Sequence, residues 1–306
     1  MPDWQRIELH NHTDESDGRL SPAELHAFFE REAVPAFALT DHNTCSAPAK
    51  LRGISDARRR ECEPIPGLEF TTWFGHVLCF GDVRYQSWHD LDPDQPEAWL
   101  SRLRGPNVKL GIAHPFAANH TRNRFVIRDW SVFDLVEIVN NANDFEAVNL
   151  PALRLWESLV MRGVRLAATS GMDLHAPRPL AGCFTTFIPT APDGANAAIR
   201  LQQAIAECRT SVTRGPLLTA CRERGTDVLV VRLEAGTEPV PEAGAICLVV
   251  RTPAGTQVHA WENPTEPLHV PLAGLPAIVR VHGCAMDAGE RERDLGLLAV
   301  APPVWG

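Results

Sequence analysis

The chain has 306 residues, of which 44% are apolar and 22% charged, enough for a sizeable core and ordinary for a globular protein in water. Its formal charge of −9 argues against tight, sequence-independent binding to a phosphate backbone, although one phosphorylated substrate at a single site stays open. No apolar run reaches the roughly 18 residues a membrane span needs, the first ten residues lack a basic-then-apolar leader, and the eight cysteines include no CxxC pair. A cytoplasmic protein with reduced, mostly buried thiols is expected.

Along the first 190 residues, short apolar runs alternate with amphipathic segments. Strands are predicted at 6–10 (RIELH), 36–40 (AFALT), 64–70, 76–81, 109–113 (KLGIA), 133–139 (FDLVEIV), 164–169 and 183–188. The clearest helix start is a capping box, with Ser21 as N-cap, Pro22 at the first helical position and Glu24 at the third, flanked by Leu20 and Leu25 as a hydrophobic staple. Leu25, Phe28 and Phe29 make its apolar face, and His26 falls on the polar side. A second helix is predicted from Pro151 to Arg162, with Leu153, Trp156, Leu159 and Val160 inward and Gly163 as its stop. Such β/α alternation indicates parallel strands with helical crossovers, and without a GxGxxG a barrel is preferred to a dinucleotide-binding fold.

The texture changes near residue 209. DVLVVRLEA, AICLVVRT, TQVHAW, LHVPL, AIVRVHG and GLLAVAP are short, Val-rich and separated by Gly and Pro turns, which reads as a small antiparallel β unit. Two domains are therefore expected, 1–208 and 209–306, joined by a helix over 195–208.

The histidines carry the chemistry. His10 and His12, in HNHTDESDG, follow the strand RIEL two residues apart, so both imidazoles project to one side of an extended segment. Asp17 follows on a loop that Gly18 relieves. His42 ends AFALTDH, Glu69 closes IPGLEF, His76 opens GHVLCFG, His114 ends KLGIAH, and Asp173 and His175 again sit two apart after VRLAAT. All but His76 lie at or just beyond the C-terminal end of an apolar strand, and in a parallel barrel those ends converge on one face. Any one of them alone reads as a satisfied structural histidine. The recurrence points to a metal centre, and imidazole with carboxylate and no thiolate suits Zn, Mn or Fe. His26, His89, His259, His269 and His282 stay structural, while His120, beside Arg122 and Arg124, is a substrate-binding candidate.

HNHTDESDG, LTDHNT, IPGLEF with GHVLCFG, GIAHPF and SGMDLHAP, in this order over about residues 5 to 190, resemble the motifs of the PHP (polymerase and histidinol phosphatase) superfamily of metallohydrolases. The resemblance implies a distorted (β/α)7 barrel and two or three divalent ions. By its pattern His10, His12 and Asp173 would hold one ion, bridged by Glu69 to a second that His76 and His114 complete, while Asp17, His42 and His175 would hold a third. DLVEIVN, LPALRLWESLVMRGVRLAATSGMDLH and SVTRGPLL further resemble the branch containing carbaryl hydrolase (CehA/McbA-like), which carries a β-rich segment after its PHP domain. After TDHNT this chain reads CSAP, without the glycine many relatives have nearby, so its loop around His42 is expected to differ.

The expected activity is that of a metal-dependent phosphoesterase, with a metal-bridging hydroxide attacking a nucleotide, an oligonucleotide end or a sugar phosphate. A carboxylic or carbamate ester hydrolase using the same centre, and a non-catalytic metal-stabilised binding module, are the alternatives. Glu69, Asp41, His120 and Arg122 are the catalytic candidates, Asp41 by orienting a ligand histidine. Arg122, Arg124, Arg178 and Arg214 are candidates to meet a phosphate, and Glu137 and Asn140 are candidate pocket residues. Arginines converging on the metals would favour phosphate; an apolar pocket lined by Trp73, Phe116 and Trp130 would favour a neutral aromatic ester.

Overall fold

The structure is a computed structural model and describes residues 3–51, 61–87, 89, 92, 95–117, 127–190, 194–239, 246–283 and 296–306. The predicted strands form close to their expected places: β1 (Trp4–Ile7), β2 (Ala36–Leu39), β3 (Glu63–Thr72), β4 (Gly75–Gly81), β5 (Val108–Ile112), β6 (Leu135–Asn140), β7 (Ala167–Gly171) and β8 (Thr185–Pro189). Strands β2 to β7 make a six-stranded sheet in chain order. Residues 8–12, past the end of β1, bridge both of its edges. Glu8 exchanges backbone hydrogen bonds with Ala36 and Ala38, while His12 N–H donates to the Leu174 carbonyl at 3.0 Å. His10 and His12 are thereby threaded between the end of β2 and the segment after β7.

The pairing is not wholly parallel. The β2–β3, β5–β6 and β6–β7 pairs are parallel, but β4 runs antiparallel to both β3 and β5. Thr72 and Gly75 are directly paired across the β3–β4 turn, where Gly75 has φ 134°. Two intervening residues cannot carry a helical crossover, so the strands must fold back as a hairpin. That reversal explains why His76 opens its strand and still reaches the same face as Glu69. Strand β8 also departs from the expected alternation and pairs antiparallel with β1.

The helix Pro22–Arg31 has the full capping box, with the Ser21 hydroxyl accepting from Glu24 N–H and the Glu24 carboxylate accepting from Ser21 N–H. His26 is not on a polar face. It is fully buried, 3.0 Å from the Cys62 carbonyl and edge-on to Phe37, because Leu25, Phe28 and Phe29 continue an apolar face that wraps past it. In the helix Leu150–Met161, Leu153, Trp156, Leu159 and Val160 are buried as predicted, and the Trp156 indole donates to the Leu166 carbonyl at 2.9 Å.

The C-terminal region is β-rich: β9 (Ser211–Thr213), β10 (Leu217–Arg222), β11 (Val228–Glu234), β12 (Ile246–Thr252), β13 (Gly255–Ala260), β14 (Leu268–Pro271), β15 (Ile278–Gly283) and β16 (Leu297–Val300). Its strands pair antiparallel, but not as an isolated unit. One seven-stranded sheet runs β1-β8-β9-β16-β15-β12-β13, so strands from either side of residue 209 hydrogen-bond in a single layer. A helix, Ala197–Ala206, precedes β9.

Candidate metal centre

Several of the expected ligands are placed by a local feature of the backbone. Gly171 ends β7 against His10, where a Cβ would stand 2.3 Å from the His10 Cβ and 2.3 Å from Glu137 Oε1. A Cβ on Gly18 would likewise stand 2.3 Å from the His12 carbonyl oxygen. His114 and Asp173 have φ 23° and 49°, and Asn43, next to His42, has 53°. Non-glycine residues in this region store strain, and such residues gather where a site requires a fixed direction of side chain.

All nine expected ligands meet. The Glu69 carboxylate, fully buried, is the hub: Oε2 lies 3.0 Å from His10 Nε2, 3.3 Å from His12 Nε2 and 3.2 Å from His42 Nδ1, while Oε1 lies 2.8 Å from His76 Nδ1 and 3.3 Å from His114 Nε2. Asp173 Oδ1 is 3.1 Å from His12 Nε2 and 3.5 Å from His10 Nε2. At the outer end, Asp17 Oδ2 is 3.2 Å from His175 Nε2 and 3.7 Å from His42 Nε2. Burial falls along the cluster, from 0% exposure of the His10 side chain to 40% for His175 and 54% for Asp17.

These distances suit metal ligands. With metal–ligand bonds of about 2.0–2.1 Å, two donors on one ion stand roughly 2.9–3.4 Å apart for octahedral to tetrahedral angles. Among the described residues, His10 Nε2, His12 Nδ1 and Glu69 Oε2 are buried yet make no hydrogen bond of acceptable geometry, although His10 Nε2 and Glu69 Oε2 are only 3.0 Å apart. Buried polar atoms left so are costly, and a cation bonded to both would remove that cost. Among the described residues, four sets of donors are close enough to share an ion: His12, Asp17, His42 and His175; His10, His12 and Asp173; His42, Glu69 and His76; and His10, His114 and Glu137. The first adds His12 to the expected outer trio. In the third, His42 rather than His114 groups with Glu69 and His76.

The electrostatics ask for positive charge. Burial by itself would lower His10, but Glu69, Asp173 and Glu137 outweigh it and raise the imidazole well above its ordinary value. His12, likewise opposed by burial, is raised to about 9 by Asp173 and Glu69. Glu69 is held well below the usual carboxylate range, with His10, His114 and His12 overcoming burial. His42 is lowered to about 4, by burial first and then by its imidazole neighbours, so it is neutral and ready to ligate.

Behind the ligands is a second layer of contacts. Glu137 accepts from His10 Nδ1 at 2.9 Å and from His114 N–H at 2.8 Å, leaving His10 Nε2 to face Glu69 and Asp173. Asn140 Nδ2 donates to Glu137 Oε2 and to Asp173 Oδ2, both at 3.2 Å. Asn149 holds Asn140 by paired hydrogen bonds to its backbone. Thr71 Oγ1 lies 2.8 Å from His42 Nδ1. Thr71 and Asn149 carried no signal in the sequence, since nothing in a run such as EFTTW says which hydroxyl will face a ligand.

Other expectations need correction. Asp41 does not orient a histidine: it is buried and accepts from Thr13 N–H at 2.6 Å and from the Thr13 and Ser16 hydroxyls, so it fixes the loop that carries Asp17. Arg178 is clamped onto the Asn141 and Met172 carbonyls and is not turned to a substrate. Trp130 packs in the core. His120, Arg122 and Arg124 lie outside the described residues. The cleft over the centre, about 240 Å³, is lined by His42, His76, His114, Ala117, Asn143, Asp173 and His175. Among the described residues it contains no arginine, and neither Trp73 nor Phe116.

No family model matches the chain, and no curated protein matches it. Solved structures do. The chain is similar to a two-domain protein from Bacteroides vulgatus described as containing a PHP-like metal-dependent phosphoesterase, at 13% identity and a TM-score of 0.49, over 92% of this chain and 90% of that one. It is also similar to an amidohydrolase from Chromobacterium violaceum (18% identity, TM-score 0.42, over 56% of this chain and 88% of that one). A third similar structure is described as a metal-dependent phosphoesterase from Bifidobacterium adolescentis (15% identity, TM-score 0.43, over 66% and 96%).

Proposed function

We propose that the protein is a metal-dependent hydrolase of phosphate esters, a PHP-type enzyme whose curled sheet is a distorted (β/α)7 barrel. One observation carries the reading: the buried Glu69 carboxylate lies between 2.8 and 3.3 Å from nitrogens of five histidines drawn from four segments of the chain. Hydrogen bonding alone gives no reason to spend six imidazoles on three carboxylates. A bridging carboxylate between adjacent divalent cations does. Ions held there would act as Lewis acids on the scissile group and activate a water as nucleophile.

The residues themselves hold and orient. Glu137 and Asn140 keep His10 and Asp173 pointed at one place, and Asp41 holds the Asp17 loop at the mouth. Imidazoles are neutral ligands, and Asp17, Glu69 and Asp173 bring one negative charge each. Glu137 behind His10 adds a fourth, so two divalent cations would balance the carboxylates and a third would leave the centre net positive, which favours an anionic ester. Ions held by Glu69 and the histidines around it would supply charge to both the attacking and the leaving oxygen of a phosphoryl group.

The test is to strip the protein with chelator, reload it with Mn or Zn, and assay p-nitrophenyl phosphate, bis-p-nitrophenyl phosphate and an aryl carboxylic or carbamate ester. Metal-dependent release from a phosphate ester is expected. Turnover of the carboxyl or carbamate ester alone would move the assignment to that class, and no metal-dependent turnover of any would leave a binding module.

A further inference from the structure

A second, larger cavity of about 680 Å³ adjoins the metal cleft, and Asn143 lines both. The partition is thin: Asn143 Nδ2 donates to Asn140 Oδ1 at 2.8 Å, and Asn140 in turn holds Asp173. One side of the cavity is the segment after β6. The other is Phe184 with Arg214, the residue that follows β9 in SVTRGPLL. Phe145 and Phe184 stack at 6.0 Å with planes 14° apart, and the Arg214 guanidinium lies 5.3 Å from the centre of the Phe184 ring.

Arg214 is half-buried, and among the described residues no carboxylate pairs with it. Two acidic residues line the same cavity without serving it. Asp144 is turned to its own helical turn, accepting from Ala147 N–H at 2.7 Å, and Glu146 is exposed. Burial lowers the Arg214 pKa, with no carboxylate raising it. A guanidinium stays charged at any working pH, so one partly stripped of water beside an open cavity is a standing demand for an anion. Its planar fork matches two oxygens of a phosphate or a carboxylate.

We propose that this cavity receives the far end of the substrate and that Arg214 pairs there with a second anionic group, phosphate or carboxylate, while the reacting group lies over the metal ligands. The inference rests on the hydrolase reading and makes Arg214 a specificity-determining residue supplied from beyond the metal-ligand segments.

The probes are α,ω-alkane bisphosphonates and ω-phosphonocarboxylates of increasing spacer length, titrated calorimetrically into the metal-loaded protein against methylphosphonate as the single-anion reference. At one spacer length the second anion should tighten binding by about 10- to 100-fold, as expected for a charge-assisted pair. Arg214→Gln should erase that gain and leave methylphosphonate unchanged, and Arg214→Lys should keep part of it. The two probe series tell phosphate from carboxylate. No gain at any spacer length in the wild type overturns the proposal even if Arg214→Gln does not fold, and so does a gain that survives in Arg214→Gln. Spacer-dependent binding without hydrolysis of any ester would sink the reaction and leave the Arg214 pairing standing; hydrolysis without a spacer effect would do the reverse.

Discussion

A histidine serves a metal well through one ring nitrogen when the other is held. His10 has Glu137 on Nδ1 at 2.9 Å and Glu69 beside Nε2 at 3.0 Å, both buried. Glu137→Gln keeps the shape but loses the charge that makes His10 a stronger donor, and its amide cannot accept from His10 Nδ1 and His114 N–H as a carboxylate does. It should weaken metal binding by about 10- to 100-fold in competition with a chelating dye. An unchanged affinity would remove Glu137 from the centre. The sequence was informative here where spacing has a fixed geometric meaning: the i, i+2 pairs His10/His12 and Asp173/His175 do present their side chains to one cluster. It was silent where a role depends on what packs behind. Asp41 sits at a strand end like the ligands, and only the fold places Thr13 and Ser16 rather than an imidazole against its carboxylate. His26 misled in the same way, because the width of a helix's buried face depends on its neighbours.

At the scale of elements, apolar runs located the strands to within a few residues, and the Ser21 capping box located a helix start. Strand direction was less legible. Only two residues separate β3 from β4, too few for a crossover, and that spacing in EFTTWFGHV was the one readable sign of an antiparallel hairpin. The contact that joins the helix Leu150–Met161 to the C-terminal strands left no sign at all. Glu157, 1% exposed, lies 2.8 Å from Arg251 on β12 and 3.1 Å from Arg280 on β15. Arg280 is 9% exposed, so removal of Glu157 takes a carboxylate away from a largely buried cation, while Arg251 at 41% can turn to water. Glu157→Ala should destabilise the protein by about 3 kcal/mol in urea unfolding. A loss under about 0.5 kcal/mol, the range of ordinary surface changes, would mean that this tie is incidental.

At the scale of the whole molecule, the change in texture near residue 209 was visible in the sequence, yet the sheet that crosses it was not, because strand partners far apart in the chain leave no local pattern. The seven-stranded layer brings Arg214 to the second cavity and carries β1, whose extension bears His10 and His12. Folding of the C-terminal strands and assembly of the candidate metal ligands are thus linked through one layer. All of this depends on nine side chains forming a single polynuclear centre with Glu69 at its middle. The most direct measurement is metal content per chain after reloading with Mn or Zn, for wild type and Glu69→Gln, read beside the thermal midpoint. Two or three ions per wild-type chain and a raised midpoint are predicted, with most of the metal and the stabilisation lost in Glu69→Gln. A wild type that takes up no metal, or a Glu69→Gln protein that holds as much as the wild type, would contradict it.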